Sequence, residues 1–344
     1  MTRRPRVRRE RARKGARSRR RPLYMAISIV GVLCLLGLGA GAAAYFAPGP
    51  RAPSGASTNV IVPTGGGMPG VARALVRAGV IRSRLLFMIA AELSGAARGL
   101  QAGEYVVPDR ASMASIMAAI RAGAVVRYYV TIPEGLTSVQ AMAVLDRAAV
   151  LVGAAPVPPE GALLPETYQV ARGESRAHVV ARMTAAREAL LARLWAGRSA
   201  GLPYRSPRDA VILASMVEKE TAIASERPRV ARVFLNRLVK GMRLESDPTV
   251  VYGLTGGEPL GHGLRQSELA KVTAYNTYAI AGLPPTPIAN PGRAALEAAL
   301  QPAPGDALYF VADGAGGHVF SASLAEHLRH VAHWRALERR AAAG

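Results

Sequence analysis

Ser206-Pro207-Arg208-Asp209-Ala210-Val211-Ile212-Leu213-Ala214-Ser215-Met216-Val217-Glu218-Lys219-Glu220-Thr221 reads as one buried helix, and a domain must be built around it. Ser206 is placed to cap it, Pro207 fits the first helical position and Asp209 sits where a capping-box acid would. Ala210 to Val217 is almost wholly apolar, which predicts burial on more than one side. At about 100° per residue Glu220 falls on the stripe of Leu213 and Val217 and so points into the domain. Glu218 falls nearer Val211 and Ala214, towards the rim. A carboxyl group at such a place loses hydration, its pKa rises, and it can hold a proton at neutral pH, as a general acid must. The competing reading pairs both glutamates with Lys219 and Arg227 as surface ion pairs.

The chain has 344 residues and a formal net charge of +21, enough length for about two domains. The charge is uneven. Twelve basic residues from Arg3 to Arg21 precede the first hydrophobic stretch, against Glu10 alone; in isolation such a run is disordered. Leu23 to Phe46 then carries no charge and, at about 1.5 Å per residue, can cross the roughly 30 Å hydrocarbon core. Arginines on one side of a single span fix that side in the cytoplasm. The apolar run is too long for a usual signal-peptide core, so an uncleaved anchor is preferred over a leader. Topology and anionic lipid heads then account for the basic tail, and nucleic acid is not expected as a partner. Cys34, the sole cysteine, lies inside the span, so the exterior portion has neither disulfide nor thiol chemistry.

The organisation follows from these limits: a basic cytoplasmic tail over 1–22, a transmembrane helix over 23–46 and a Pro/Gly-rich linker over 47–58. A small α+β domain over 59–155 and a larger mixed α/β domain over 156–338 come after it. In the small domain, strands are expected at 59–62, 103–107 and 125–132, with helices at 71–78, 83–94 and 113–122. Gly65-Gly66-Gly67 lacks the Gly-Lys-Ser/Thr of a phosphate loop and reads as a turn. In the large domain, helices are expected at 177–196, 206–221 and 228–239. Asp247-Pro248-Thr249 reads as a turn, 308–312 and 318–321 as a hairpin, and Ser323 with Glu326 as a capping box for a last helix. His327, His330 and His333 recur at helical spacing without an acidic or cysteine cluster to complete a ligand set, so no metal and no cofactor is expected.

Several segments, in order, resemble the endolytic murein transglycosylases, or YceG-like family. They include Thr131-Ile132-Pro133-Glu134-Gly135, Leu164-Pro165-Glu166-Thr167-Tyr168 and Leu213 to Thr221. Val233-Phe234-Leu235-Asn236-Arg237-Leu238, Ser246-Asp247-Pro248-Thr249-Val250, Tyr275-Asn276-Thr277-Tyr278 and Ile288-Ala289-Asn290-Pro291-Gly292 continue the match. The resemblance implies a LysM-like small domain and an enzyme held in the inner (cytoplasmic) membrane by a single pass, N-terminus cytoplasmic and catalytic domain periplasmic. It implies cleavage of nascent peptidoglycan glycan strands between N-acetylmuramic acid and N-acetylglucosamine, leaving 1,6-anhydro ends and terminating elongation, with peptidoglycan synthases as candidate partners. The family's catalytic glutamate lands on Glu220, which agrees with the helical-face reading. Asp247, Thr249, Asn276, Tyr278 and Glu218 are the candidates for binding sugar or steadying developing charge. Two alternatives stay open: a hydrolase with Glu226 or Asp247 as second carboxylate, and a non-enzymatic glycan-binding scaffold. The Gly-rich stretch 256–263, with Glu258 and His262, departs from the family pattern.

Overall fold

A computed structural model describes residues 8–53, 55–62, 65–95 and 103–343. Residues 1–7 of the basic tail lie outside the described residues. The protein is mixed α+β, mostly helical, with three two-stranded antiparallel sheets among the described residues. It divides into two compact units, Met1–Val126 and Arg127–Gly344.

The first unit begins with helix α1, Arg8–Phe46. The helix takes in the basic run from Arg8 onward, where the sequence reading expected disorder, as arginine's good helix propensity permits. Its Met25–Phe46 part is long and apolar enough to cross a membrane, and its side chains are unburied. Strand β1 (Ser57–Val62), helices α2 (Gly67–Arg77) and α3 (Arg84–Leu93), strand β2 (Gly103–Pro108) and helix α4 (Met113–Arg121) follow. β1 and β2 pair antiparallel from Ser57↔Pro108 to Val62↔Gly103. Period-2 alternation puts Val60, Val62, Tyr105 and Val107 inside, on Leu75, Phe87, Met117 and Ile120, and leaves Ile61 and Val106 outside. Ser83 and Ser112 cap α3 and α4 by accepting from Leu86 N (3.2 Å) and Ser115 N (3.1 Å). The stretch read as a free linker is fastened to the β2–α4 turn. Gly49 N donates to Arg110 O (3.1 Å), and Asp109 N donates to Ala56 O (2.9 Å).

The second unit starts with strand β3 (Tyr128–Thr131), which pairs antiparallel with β4 (Thr167–Val170). That pairing draws residues 127–155 into the second unit, whereas the sequence reading ended the small domain at 155. Helices α5 (Ser138–Arg147), α6 (Arg176–Ala196), α7 (Pro207–Glu220), α8 (Arg227–Val239), α9 (Asp247–Thr255), α10 (Gln266–Leu269) and α11 (Arg293–Leu300) form the body. The hairpin β5 (Tyr309–Ala312)/β6 (His318–Ser321) and helix α12 (Leu324–Ala343) close it. α7 is buried at every position from Asp209 to Val217. It packs on Val230, Ala231 and Phe234 of α8 and on Ala295, Leu296 and Ala299 of α11. Alanines on α7 and α11 permit close approach of the backbones. Ser215, buried in mid-helix, donates to Ile212 O (2.7 Å) and accepts from Ile288 N (3.0 Å), so its hydroxyl is satisfied and ties the loop before α11 to α7. Ser206 makes no cap hydrogen bond. Asp209 instead accepts from Arg205 N (2.9 Å), anchoring the helix start.

Candidate active site

α7 ends at Glu220, with Thr221 leaving the helix in extended conformation. Val217 and Leu213, one and two turns back, are fully buried, and this stripe carries Glu220 to the edge of the core. There the carboxyl group lines a cavity of about 280 Å³ with Arg237, Leu244, Glu245, Asp247, Tyr278, Phe310 and His327. Loss of hydration is the main influence on it and raises its pKa, Asp247 adds to the rise, and the Ser246 hydrogen bond, His318 and Arg237 oppose it; the result is up to about 7 from an ordinary 4.5. Ser246 Oγ donates to Glu220 Oε1 over 2.5 Å.

The walls are tightly built. Arg237 is buried, donating to Leu308 O (2.7 Å), Leu244 O (3.0 Å) and Glu245 Oε2 (2.9 Å), with its guanidinium 5.1 Å from the Tyr309 ring centre. It thereby fixes the 243–246 loop, in which Glu245 takes φ +54, an uncommon conformation for a non-glycine residue. Tyr278 OH donates to Asp247 Oδ1 (2.7 Å). Burial, then that hydrogen bond and the carboxylates around it, push the Tyr278 hydroxyl well above its ordinary range. His327 stacks on Tyr309 at 5.0 Å, and its pKa is lowered by burial, with Arg237 and His330 adding to the effect. The three C-terminal histidines therefore separate: His327 faces the cavity, His330 Nδ1 meets Ser321 Oγ (2.9 Å), and His333 is exposed. Among the described residues no group of three or more His, Cys, Asp or Glu could hold a metal.

The sequence candidates fall into two sets. Glu220, Asp247 and Tyr278 share the cavity. Thr249 and Asn276 are fully buried and do not line it. Thr249 Oγ1 bonds Ser246 O (2.6 Å) and Thr277 Oγ1 (2.9 Å). Asn276 donates to Leu269 O (2.8 Å) and Lys271 O (2.7 Å) and accepts from Tyr278 N (2.9 Å). Their polar groups are spent on holding the loop that presents Tyr278.

Glu218 is not at the rim. Its side chain is only 4% exposed, taking one hydrogen bond from Arg227 (2.9 Å) and one from Gly292 N (2.9 Å). Glu134 lies 3.5 Å from the same guanidinium, its pKa raised by burial and by Glu218, against the pull of Arg227. Lys219 reaches Gly135 O (3.4 Å). The end of α7 is thus clamped by the start of α8 and by two segments distant in sequence, around Gly135 and Gly292. Glu226, the other candidate second carboxylate, is held by His318 N (2.8 Å) and His318 Nδ1 (2.7 Å). Burial raises its pKa, but these hydrogen bonds outweigh that and leave it lowered. It does not line the Glu220 cavity. Ser246, Arg237, Glu245, Phe310 and His327 line or support this site and were not named as site residues from the sequence. Ser246 carried a misleading signal: it precedes Asp-Pro as a helix cap would, yet makes no cap bond.

The sequence model of the YceG-like family matches residues 60–333. An endolytic murein transglycosylase of Bacillus subtilis (strain 168) is 44% identical over 115 residues, 33% of this chain and 31% of that protein. One of Streptococcus pneumoniae (strain D39) is 32% identical over 180 residues, 50% of this chain and 32% of that protein. The chain therefore spans about a third of the length of the curated relatives it matches. A crystal structure of a yceG-like protein from Listeria monocytogenes aligns over 79% of this chain and 98% of that one, at 27% identity and a TM-score of 0.50. With the family match running from the first strand into the last helix, the chain belongs to the YceG-like family.

Proposed function

We propose that this chain is an endolytic peptidoglycan lytic transglycosylase, cutting nascent glycan strands between N-acetylmuramic acid and N-acetylglucosamine and leaving 1,6-anhydromuramic ends that terminate elongation. The observation that carries the reading is the Glu220 carboxyl group, raised to about 7 in a polar cavity at the end of a buried helix. The names of its relatives support the substrate class. Glu220 holds its proton on the oxygen that Ser246 leaves free and gives it to the departing glycosidic oxygen. As carboxylate it then takes the proton of the muramic C6 hydroxyl, which closes onto C1. The attacking hydroxyl belongs to the substrate, so ring closure gains from proximity and no second carboxylate is needed. Acid–base catalysis of this kind contributes typically about 10²–10⁴-fold. Asp247 and Tyr278 face the sugar and steady positive charge as it develops. Thr249 and Asn276 hold their loop, and Glu218 with Arg227 positions the helix end.

The Met25–Phe46 helix serves as a single-pass anchor in the cytoplasmic membrane, with the basic tail inside and both folded units outside. The β1-α2-α3-β2 unit acts as a LysM-like glycan-binding module, and peptidoglycan synthases are the partners such an activity would meet. A hydrolytic reading has one observation in its favour, the presence of Asp247 in the Glu220 cavity. Mass analysis of glycan released from nascent, uncrosslinked peptidoglycan by the full chain in detergent separates the two. Anhydro ends support the lytic reaction, and products heavier by one water per cut overturn it.

A further inference from the structure

α3 carries an apolar face that the described residues of its own unit leave exposed. Leu85 is 69% exposed, Ile89 48% and Leu93 85%, one helical turn apart in succession. On its other side α3 buries Phe87 and Ala91 in the core, so the exposed face is not demanded by the fold. A row of large apolar side chains left in water marks an interaction surface.

The surface is continuous with the apolar helix. Cys34, Gly37, Gly41 and Tyr45 recur on one face of α1 and form one wall of a groove of about 820 Å³. Leu86, Ile89 and Leu93 of α3 form the other. The walls come within contact distance at Gly41, where a Cβ would meet Leu86 Cδ1 at 3.9 Å. The placement of α1 on this unit is fixed by Tyr45, which packs on the core, and by the Gly49–Arg110 hydrogen bond. Twelve residues separate Cys34 from Phe46, so the groove runs along roughly 18 Å of the apolar helix. A helix that crosses a bilayer carries this groove into the lipid with it.

Resting on the reading of α1 as a membrane anchor, we propose that the Leu85–Ile89–Leu93 face of α3 is an interfacial membrane-binding surface and that lipid acyl chains fill the groove between α3 and α1. Charge limits the depth. Arg84 and Glu92 are exposed on the same helix, and a carboxylate is costly in mid-leaflet. α3 therefore dips only its Leu85–Ile89–Leu93 side into the outer leaflet and keeps Arg84 and Glu92 towards the headgroups. The span is long enough for this: Leu23–Phe46 extends about 36 Å as a helix, against roughly 30 Å of hydrocarbon, which leaves its outer end among the headgroups. The smaller unit is then pressed to the membrane face, not hung from it on a tether.

Site-specific fluorescence tests this. Cys34 is the only cysteine, so Cys34→Ser clears the background for NBD-labelled Ile89→Cys, Leu93→Cys and, as an exposed control, Val239→Cys. The full chain is reconstituted in phosphatidylglycerol/phosphatidylethanolamine vesicles with brominated acyl chains. Labels at 89 and 93 are expected to lose emission, as a label on native Cys34 does, while 239 keeps it. Quenching at 34 with 89 and 93 behaving like 239 overturns the proposal and leaves the anchor standing. No quenching at 34 removes the anchor itself, and the proposal with it. Labels at 89 and 93 shielded from both brominated lipid and aqueous iodide would mean that protein covers the face, which also overturns the lipid assignment.

Discussion

Ser246 hands a hydrogen bond to Glu220 over 2.5 Å, while Asp247, the next residue along, sets its negative charge on the same carboxyl group. One neighbour favours the carboxylate and the other favours the acid. Glu220 rests between them, up to about 7, where it can both give and take a proton near neutral pH.

The two neighbours should therefore move the pH–rate profile in opposite directions. Ser246→Ala removes the bond that lowers the Glu220 pKa, so the alkaline limb of kcat/KM should shift to higher pH. Asp247→Asn removes the charge that raises it, and the limb should shift to lower pH. Rates on nascent glycan between pH 5 and 9 check both. Shifts of the same sign would disconnect these residues from the reacting group.

Glu220→Gln should abolish cleavage and at the same time stabilise the protein at alkaline pH. The folded-state pKa lies above the ordinary 4.5, so the native state binds the proton more tightly than the unfolded chain. The resulting penalty is absent below about 4.5, grows as pH rises and is complete above about 7. For a shift of that size it reaches roughly 3 kcal/mol. Urea denaturation of wild type and variant at pH 4 and pH 8.5 measures it: the gain should appear at the higher pH and vanish at the lower.

What the sequence disclosed and what it hid divide along chain distance. α7 was legible because its signals are local: a proline at the start, an unbroken apolar run and a face computable from 100° per residue. Glu220's direction followed from the same arithmetic. Ser246 lies 26 residues away and meets Glu220 only through the fold. Arg237 and His327 come from helices α8 and α12, and nothing in their local spacing points at a shared cavity. Glu218 was misplaced because helical angle predicts a face and not its burial: the competing reading named Arg227 as an ion-pair partner, but at the surface, and the Gly292 amide was not foreseen. α9 was read as a turn because Asp-Pro opens turns and helices alike, and Pro248 sits in its first turn. α5 went unread although Thr137 and Gln140 form a full capping box that spacing could have found. β3 lies inside the strand expected over 125–132, but its partner β4 went unread, and their pairing places 127–155 with the second unit, whose boundary falls at 126 and not 155.

Asn276→Ala and Tyr278→Phe separate loop architecture from sugar contact. Asn276 holds three backbone groups, two as donor and one as acceptor, so its loss should cost about 1–3 kcal/mol of stability and lower activity by misplacing Tyr278. Tyr278→Phe keeps the ring and loses the bond to Asp247. It should raise KM or lower kcat while leaving the denaturation midpoint within experimental error. If both variants were destabilised equally and equally slow, Tyr278 would be a structural residue too.

Arg227→Met tests the clamp at the end of α7. Its guanidinium stands against Glu218, nearly buried, and Glu134. Removing the cation leaves carboxylates facing each other with their charge uncompensated, which should destabilise the second unit by about 3–5 kcal/mol at neutral pH. Acid should relieve it. Glu134's pKa is already raised, by burial and by Glu218, and Arg227 is the group that holds it down, so without the arginine the carboxyl takes up a proton more readily. The stability gap between wild type and variant should therefore narrow as pH falls from 7 to 5. A pH-independent gap would mean that the arginine's packing, rather than its charge, keeps the end of α7 in place.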